Sequence, residues 1–176
     1  QSDVYSAITA GIACLKGPAH GGAAEGVMKQ AQEIGDEKNT VNYVKNLLAS
    51  GGRIMGFGHR VYKTADPRAL ILKIDAKNLS ERKGNPKWFA ILQSLADCME
   101  PYEKKGICEN VDFWTGAIYN LLDIPDDIFV SIFALARIPG WTAQIAEQFS
   151  NNILIRPLLA YVGELEKPYI KIENRK

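Results

Sequence analysis

The chain has 176 residues, 47% of them hydrophobic, and a formal net charge of +1 at pH 7. This composition predicts a globular core and argues against a disordered chain and against a nucleic-acid-binding surface. No stretch approaches the ~18 unbroken apolar residues of a transmembrane helix, and the first residues carry no signal-peptide pattern. The cysteines form no Cys-x-x-Cys pair, so we expect free, buried thiols in a reducing compartment. They are Cys14, Cys98 and Cys108.

The first two predicted helices flank a histidine in a glycine-rich turn. Apolar residues recur at helical spacing over residues 2–16, which predicts a deeply buried helix, and a second helix is predicted over 22–34. His20 precedes Gly21 and Gly22, so it lies beside the start of the second helix. The helix dipole disfavours an imidazolium there, and a neutral His20 can donate a hydrogen bond to a developing oxyanion. A histidine that only caps the turn explains the pattern equally well.

Capping residues predict the next three helices. Thr40 is expected to cap a helix over 41–49. An Asp-Pro pair predicts the start of a helix over 67–82, and Pro86 predicts the start of another that reaches about residue 104. The apolar positions of the helix over 67–82 are Leu70, Ile71, Ile74 and Leu79.

The last third of the chain is also predicted to be mainly helical. Asp112 opens an apolar run, so its simplest interpretation is a helix N-cap, and the alternative is a functional carboxylate beside aromatic rings. A helix that begins at 124–127 is expected to end at 137–140, before a separate short helix over 141–150. Residues 168–173 alternate well enough to predict a short strand. The total is eight or nine helices and little strand.

Residues 53–68 contain the second histidine and are the most distinctive stretch. Gly56 and Gly58 come directly before His59, and their missing Cβ atoms allow a sharp turn and close approach of a ligand to the backbone. Three cations follow, namely Arg60, Lys63 and Arg68. The arrangement suits a small anionic ligand with a polarisable carbonyl, although a surface turn with scattered charges is the simpler alternative.

Common catalytic and nucleotide-binding motifs are missing from the sequence. There is no Walker A loop, no complete Gly-x-Gly-x-x-Gly pattern, no nucleophile elbow and no zinc-ligand spacing. What remains is His20, His59 and Asp112. Proton abstraction beside a carbonyl needs a base and a donor for the enolate oxygen, and a condensation needs a second donor on the electrophile. These three residues could fill the three roles.

Several separate motifs resemble one family, citrate synthase, in its order and approximate spacing. They are Gly17-Pro-Ala-His-Gly-Gly-Ala, Gly56-Phe-Gly-His-Arg-Val-Tyr, Asp66-Pro-Arg, Asn110-Val-Asp-Phe, Arg137-Ile-Pro-Gly-Trp and Ile155-Arg-Pro. The resemblance covers the whole chain. It implies an all-α, citrate-synthase-like fold with a short C-terminal strand, in which a small helical domain is inserted into the C-terminal helices of a larger helical domain.

The resemblance also implies how the chain divides into domains. Residues 1–21 would be a large-domain helix and active-site turn, 22–123 the small domain that binds coenzyme A (CoA) and closes, and 124–176 the large-domain C-terminal helices and tail. Only the C-terminal part of the family pattern is covered. A further family histidine would lie shortly before Gln1, so we expect the 176-residue chain by itself to be inactive.

The site roles implied by the resemblance are those of an acyltransferase that condenses acetyl-CoA with oxaloacetate and hydrolyses citryl-CoA to citrate and CoA. His20 would stabilise the enol, Asp112 would remove the methyl proton, and His59 would polarise the oxaloacetate carbonyl. The oxaloacetate carboxylates would be bound by Arg68, Arg137 and, from the partner subunit of a homodimer, Arg156. CoA would be bound by Arg53, Gly56, Phe57, Gly58, Lys63 and Asn110.

The same resemblance implies no metal or other cofactor, since acetyl-CoA is a substrate. The net charge and the lack of a long apolar stretch predict no nucleic-acid or membrane partner, and the unpaired cysteines predict a cytoplasmic location. Two alternatives stay open at this point: a 2-methylcitrate synthase that uses propionyl-CoA with the same residues, and a non-catalytic helical module that keeps only a CoA-binding cleft.

Overall fold

The computed structural model describes residues 2–17 and 21–175, which contain seven α-helices and no β-strand. The helices are α1 Val4–Leu15, α2 Ala23–Ile34, α3 Thr40–Ala49, α4 Pro67–Arg82, α5 Lys87–Glu103, α6 Val111–Leu121 and α7 Phe129–Ser150. Short 3-10 turns occur at Glu37–Asn39, Asp126–Ile128 and Ile172–Asn174. The all-α prediction is confirmed, and the short C-terminal strand is wrong.

The main core lies between helices α2 and α6. Helix α6 packs on α2 and α4, and α3 packs on α5. The fully buried Phe113 and Trp114 of α6 touch edge to face, with ring centroids 5.0 Å apart, and Met28 of α2 is completely buried in the same cluster. Because large apolar side chains dominate this cluster, it supplies most of the hydrophobic stabilisation of the fold.

Helix α4 approaches the core through small side chains. Its buried residues are Ala69, Ala76 and Ser80, which allow the backbones of α4 and α6 to come close together. In contrast, Leu70, Ile71 and Ile74 are more than half exposed (54%, 63% and 62%). The apolar positions predicted for this helix therefore lie mainly on its outer side.

Helices α1 and α7 pack on each other, but they are poorly buried in this chain. Leu15 is the only buried residue of α1, and a Cβ at Gly11 would lie 3.5 Å from the Trp141 ring of α7. The prediction that α1 is deeply buried is therefore wrong within the described residues, because α7 covers only one side of a helix that is apolar on several sides.

Helix α7 runs without a break through Pro139, so the prediction of two separate helices is wrong. Proline lacks the N–H that would donate to the carbonyl of Leu135, but its φ is compatible with a helix, and the helix continues with one bond fewer. The segment Asp126–Ser150 is also long and apolar enough to cross a membrane, with a mean hydropathy of 1.4 over its best window. Core helices of soluble proteins meet the same criterion.

Three smaller predictions differ from the structure. Thr40 is the first residue of α3 rather than its cap, and its buried hydroxyl has no hydrogen-bond partner among the described residues. The predicted strand over 168–173 is absent because the described tail from residue 151 onward is exposed and has no strand to pair with. All three cysteines are free, but Cys14 is exposed, Cys98 is half-buried and only Cys108 is buried.

Candidate active site

Two segments form the frame of the site, the glycine-rich turn at 56–59 and the segment 108–110 that leads into α6. Gly58 N–H donates to the carbonyl of Cys108 at 2.8 Å, and Asn110 N–H donates to the carbonyl of Gly56 at 2.9 Å. The Asn110 side chain adds a third bond, from Nδ2 to the carbonyl of Gly58, at 2.9 Å. These bonds hold the histidine turn against the start of α6.

Glycine is required at Gly56 for two reasons. Its φ is +79°, which L side chains rarely adopt, and a Cβ there would lie 2.8 Å from Phe113 and from Val27. Gly58 has φ +83° but open space around it. The positive φ of both glycines confirms the predicted sharp turn, and Gly56 also lets the turn lie directly on the core.

Asn110, not Asp112, is the N-cap of α6. Its Oδ1 accepts a hydrogen bond from the N–H of Asp112 at 3.0 Å. The prediction of Asp112 as N-cap is therefore wrong: Asp112 is the second residue of the helix, and its half-buried side chain lines the cleft described below.

His59 is fixed by bonds to one of its ring nitrogens. Its Nδ1 accepts hydrogen bonds from the N–H groups of Val61 (3.1 Å) and Tyr62 (3.0 Å). An acceptor nitrogen carries no proton, so the ring proton of this neutral tautomer is on Nε2. Tyr62 also stacks on the imidazole, with ring centroids 4.6 Å apart and planes inclined by 29°. His59 therefore presents Nε2–H as its hydrogen-bond donor.

Arg68 is oriented by a buried carboxylate. Its Nε donates to Asp66 Oδ1 at 3.0 Å and its Nη2 donates to Oδ2 at 2.8 Å, while Asp66 also caps α4 by accepting from the Arg68 N–H. Asp66 is only 1% exposed. The hydrogen-bonded Arg68 guanidinium holds the pKa of the Asp66 carboxyl below its usual value, against the opposing effect of burial. Nη1 of Arg68 takes no part in this pair.

A cleft of about 330 Å³ lies between these segments and α7. Arg137 reaches it from α7, with its guanidinium 5.4 Å from the centroid of the Phe133 ring. The residues that line the cleft are Gly58, His59, Arg60, Arg68, Asn110, Val111, Asp112, Phe133 and Arg137. Three arginines against one carboxylate make the cleft suitable for a small ligand with two or more negative charges. The imidazole of His59 and the carboxylate of Asp112 line the same cleft.

Some predicted site residues do not line this cleft. His20 lies outside the described residues. Arg53 and Lys63 are exposed, and Lys63 Nζ donates to the carbonyl of His59 at 3.4 Å. Arg156 is in the exposed tail, where its Nη1 donates to the adjacent Pro157 carbonyl.

Separate contacts hold the stretch 53–58, which is predicted to bind CoA, against the core. Gln30 of α2 donates from Nε2 to the carbonyl of Arg53 and accepts at Oε1 from the N–H of Met55, both at 2.8 Å. Phe57 packs edge to face on Phe113, with ring centroids 4.8 Å apart. The backbone of 53–58 is therefore clamped to the core, while the Arg53 side chain stays exposed.

Tyr62, Phe133 and Gln30 are site or supporting residues that the sequence reasoning missed. Local spacing could have indicated two of them. Tyr62 is three positions after His59 and Phe133 is four positions before Arg137, so each ring can reach the neighbouring functional side chain. No local signal marks Gln30, which is 23 residues from the loop it clamps. Among the described residues, no group of three or more His, Cys, Asp or Glu side chains could hold a metal ion.

Comparison with known proteins agrees with this architecture. The family model described as "Citrate synthase, C-terminal domain" matches residues 1–158. Citrate synthase 2 of Bacillus subtilis is 46% identical over 174 residues, and 2-methylcitrate synthase 1 of Corynebacterium glutamicum is 45% identical over 175 residues. Each alignment covers 99% of this chain but only 46% and 45% of the relative, so the chain spans about half the length of the curated relatives it matches.

A solved structure shows the same fold. The citrate synthase of Thermoplasma acidophilum, solved as a ternary complex with carboxymethyl coenzyme A and oxaloacetate, superposes with a TM-score of 0.89 at 42% identity. The match covers 99% of this chain and 47% of that chain. The fold is therefore the all-helical type found in the C-terminal domain of citrate synthases. The chain belongs to the citrate synthase family.

Proposed function

We propose that this chain is the C-terminal part of a citrate synthase, which condenses acetyl-CoA with oxaloacetate and hydrolyses citryl-CoA to citrate and CoA. The observation that carries the proposal is the convergence of His59, Arg68, Asp112 and Arg137 in one cationic cleft. Oxaloacetate has two carboxylates and a ketone, which match the arginines and the Nε2–H donor. The names of the relatives and the ligands of the solved neighbour support the same substrates.

In the first chemical step, the Asp112 carboxylate takes a proton from the methyl group of acetyl-CoA. His20 holds the developing enol oxygen through a donated hydrogen bond, as the resemblance implies. The position of Asp112 supports its part, because its half-buried carboxylate lines the same cleft as His59 and can accept a proton from a group bound there.

In the second step, the enol carbon attacks the carbonyl carbon of oxaloacetate, and the π electrons of the C=O bond pass to its oxygen, which Nε2–H of His59 stabilises. This oxygen gains one proton to become the hydroxyl of citryl-CoA, which balances the proton that Asp112 removed from the methyl group. The double acceptor role of Nδ1 supports this assignment, because it directs the ring proton to Nε2. Arg68 and Arg137 bind the carboxylates. Water then cleaves the thioester of citryl-CoA, which releases citrate and CoA.

The proposal extends to the assembly of the enzyme. The division at 1–21, 22–123 and 124–176 is supported by the packing of α2 to α6 with one another and of α1 with α7. The clamped backbone of 53–58, with Lys63 and Asn110, would bind CoA. Arg156 would complete the site of the partner subunit in a cytoplasmic homodimer, and the reaction would need no metal or prosthetic group.

The activity is tested in a hybrid enzyme in which this chain replaces the corresponding C-terminal part of the Bacillus subtilis relative. CoA release from acetyl-CoA should depend on oxaloacetate and yield citrate. A folded hybrid that binds both substrates but forms no citrate would contradict the proposal. The 176-residue chain alone should form none.

A second candidate, 2-methylcitrate synthase, is favoured by one observation, the nearly equal identity to the Corynebacterium glutamicum relative. The described cleft residues serve both reactions equally well. Steady-state rates of the hybrid with acetyl-CoA and with propionyl-CoA separate the two candidates: a higher kcat/KM for propionyl-CoA would favour the second.

Assembly is tested on the chain itself. Tyr5 of α1 is 84% exposed and Leu135 of α7 is 65% exposed, and apolar surface of this extent commonly marks an interface. Light scattering should show self-association, which Tyr5→Ser combined with Leu135→Lys should reduce. Val61→Ser, at an exposed residue of the histidine turn, is the control. A monomer at all concentrations would contradict the proposed contact.

A further inference from the structure

Tyr62 lies between two of the side chains that line the cleft. Its ring stacks on the His59 imidazole at a centroid distance of 4.6 Å, and the Arg68 guanidinium carbon lies 5.9 Å from the centroid of the same ring. Its backbone N–H donates to Nδ1 of His59. One residue thus contacts the histidine through both its ring and its backbone and contacts the arginine through its ring.

The opposite end of this arrangement is fixed by Asp66. The carboxylate of Asp66 is buried and binds Arg68 through two of the guanidinium nitrogens. Asp66, Arg68, Tyr62 and His59 therefore form a continuous row, which we name the stacked row. The Arg68 side chain is itself 47% exposed, so without a stacking partner it would be restrained by Asp66 alone.

Stacking of this kind has a defined physical effect. An aromatic ring under a guanidinium stabilises the cation and restricts its plane, and a stacked ring pair restricts rotation of the imidazole. Both His59 and Arg68 then keep their donors aimed before any ligand arrives. A site that is ordered in advance binds more tightly because less conformational entropy is lost on binding.

We propose that Tyr62 is a positioning residue that holds His59 and Arg68 as one preassembled unit for a 2-oxo dicarboxylate. The phenol hydroxyl is not required, because both contacts use the face of the ring. The choice of ligand rests on the proposed function, whereas the positioning of His59 does not.

The test uses Tyr62→Ala and Tyr62→Phe in the 176-residue chain. Hydrogen–deuterium exchange, followed by mass spectrometry of the peptide that contains residues 59–68, reports the two N–H groups bound to Nδ1. We expect exchange at these groups to be about threefold to tenfold faster in Tyr62→Ala and unchanged in Tyr62→Phe. A peptide from α5 is the control for global unfolding. Equal exchange in all three proteins would overturn the proposal.

Titration with oxaloacetate gives the second readout. Tyr62→Ala should weaken binding by about threefold to tenfold, and Tyr62→Phe should stay within about twofold of the unchanged chain. Equal weakening in both variants would overturn the role of the ring face. If the unchanged chain and a hybrid enzyme both fail to bind oxaloacetate, the proposed function fails, while the exchange experiment still decides the role of Tyr62.

Discussion

Asn110 donates from Nδ2 to the carbonyl oxygen of Gly58 at 2.9 Å, and this bond joins the histidine turn to the helix that carries Asp112. The same side chain caps that helix through Oδ1. A single residue therefore sets both the start of α6 and the position of the turn relative to it.

The two roles of Asn110 can be separated by substitution. Asn110→Ala removes the cap and the bond to Gly58 and should lower the free energy of unfolding by about 2–3 kcal/mol. Asn110→Asp keeps an acceptor for the Asp112 N–H but loses the donor, so we expect a smaller loss of about 1–2 kcal/mol. Urea denaturation measures both values. If Asn110→Asp matched the unchanged protein, the bond to Gly58 would contribute nothing to stability.

Gly56 and Gly58 form a matched pair, because both have positive φ but only Gly56 lacks space for a side chain. Gly58→Ala should cost only the backbone strain, about 1–2 kcal/mol. Gly56→Ala adds a clash with Phe113 and Val27, which should bring the loss to about 2–5 kcal/mol. Thermal or urea unfolding gives the comparison. Equal losses at the two positions would show that the turn moves away from the core at little cost.

Asp112→Asn tests the proposed base in the hybrid enzyme. The amide has nearly the shape of the carboxylate but cannot accept the methyl proton, so kcat should fall by about 10²–10⁴-fold while oxaloacetate binding is largely kept. Asp75→Asn, at an exposed position on α4, is the control and should leave both parameters unchanged. Near-normal turnover of Asp112→Asn would remove this residue from the mechanism.

The pair of Asp66 and Arg68 should make stability depend on pH at the acid end. Because the pKa of Asp66 is lowered in the folded protein, the pair stabilises the fold above the unfolded-state pKa of about 3.9. That contribution is lost as the pH falls through the lower folded-state pKa. Urea midpoints measured between pH 7 and pH 2 should show this loss in the unchanged protein.

Asp66→Asn removes the titrating group but keeps a capping side chain, so it provides the comparison. The variant should be less stable at pH 7 by about 1–3 kcal/mol, and its difference from the unchanged protein should shrink towards low pH. A difference that stays constant from pH 7 to pH 2 would show that Asp66 does not titrate in this way.

The sequence alone was sufficient where the determinant is local. Asp66 with Pro67 predicts the start of α4 correctly, since a capping carboxylate and a fixed φ act within one turn. The glycines before His59 predict the sharp turn because a positive φ is a property of the backbone itself. The family motifs, which are also local, predict the fold class and part of the cleft lining, including His59, Asp112 and Arg137.

Tertiary structure alone decided what depends on distant neighbours. It buried Ala76 and Ser80 of α4 and left Ile71 and Ile74 outside, because close approach to α6 favours small side chains. It made Asn110 the N-cap of α6, and the Asn110 amide also donates to the carbonyl of Gly58, 52 residues away. It placed Tyr62 between His59 and Arg68, an arrangement that depends on the path of the turn back to α4. Side-chain packing and hydrogen bonds across such separations decide these features, and local spacing in the sequence carries no record of them.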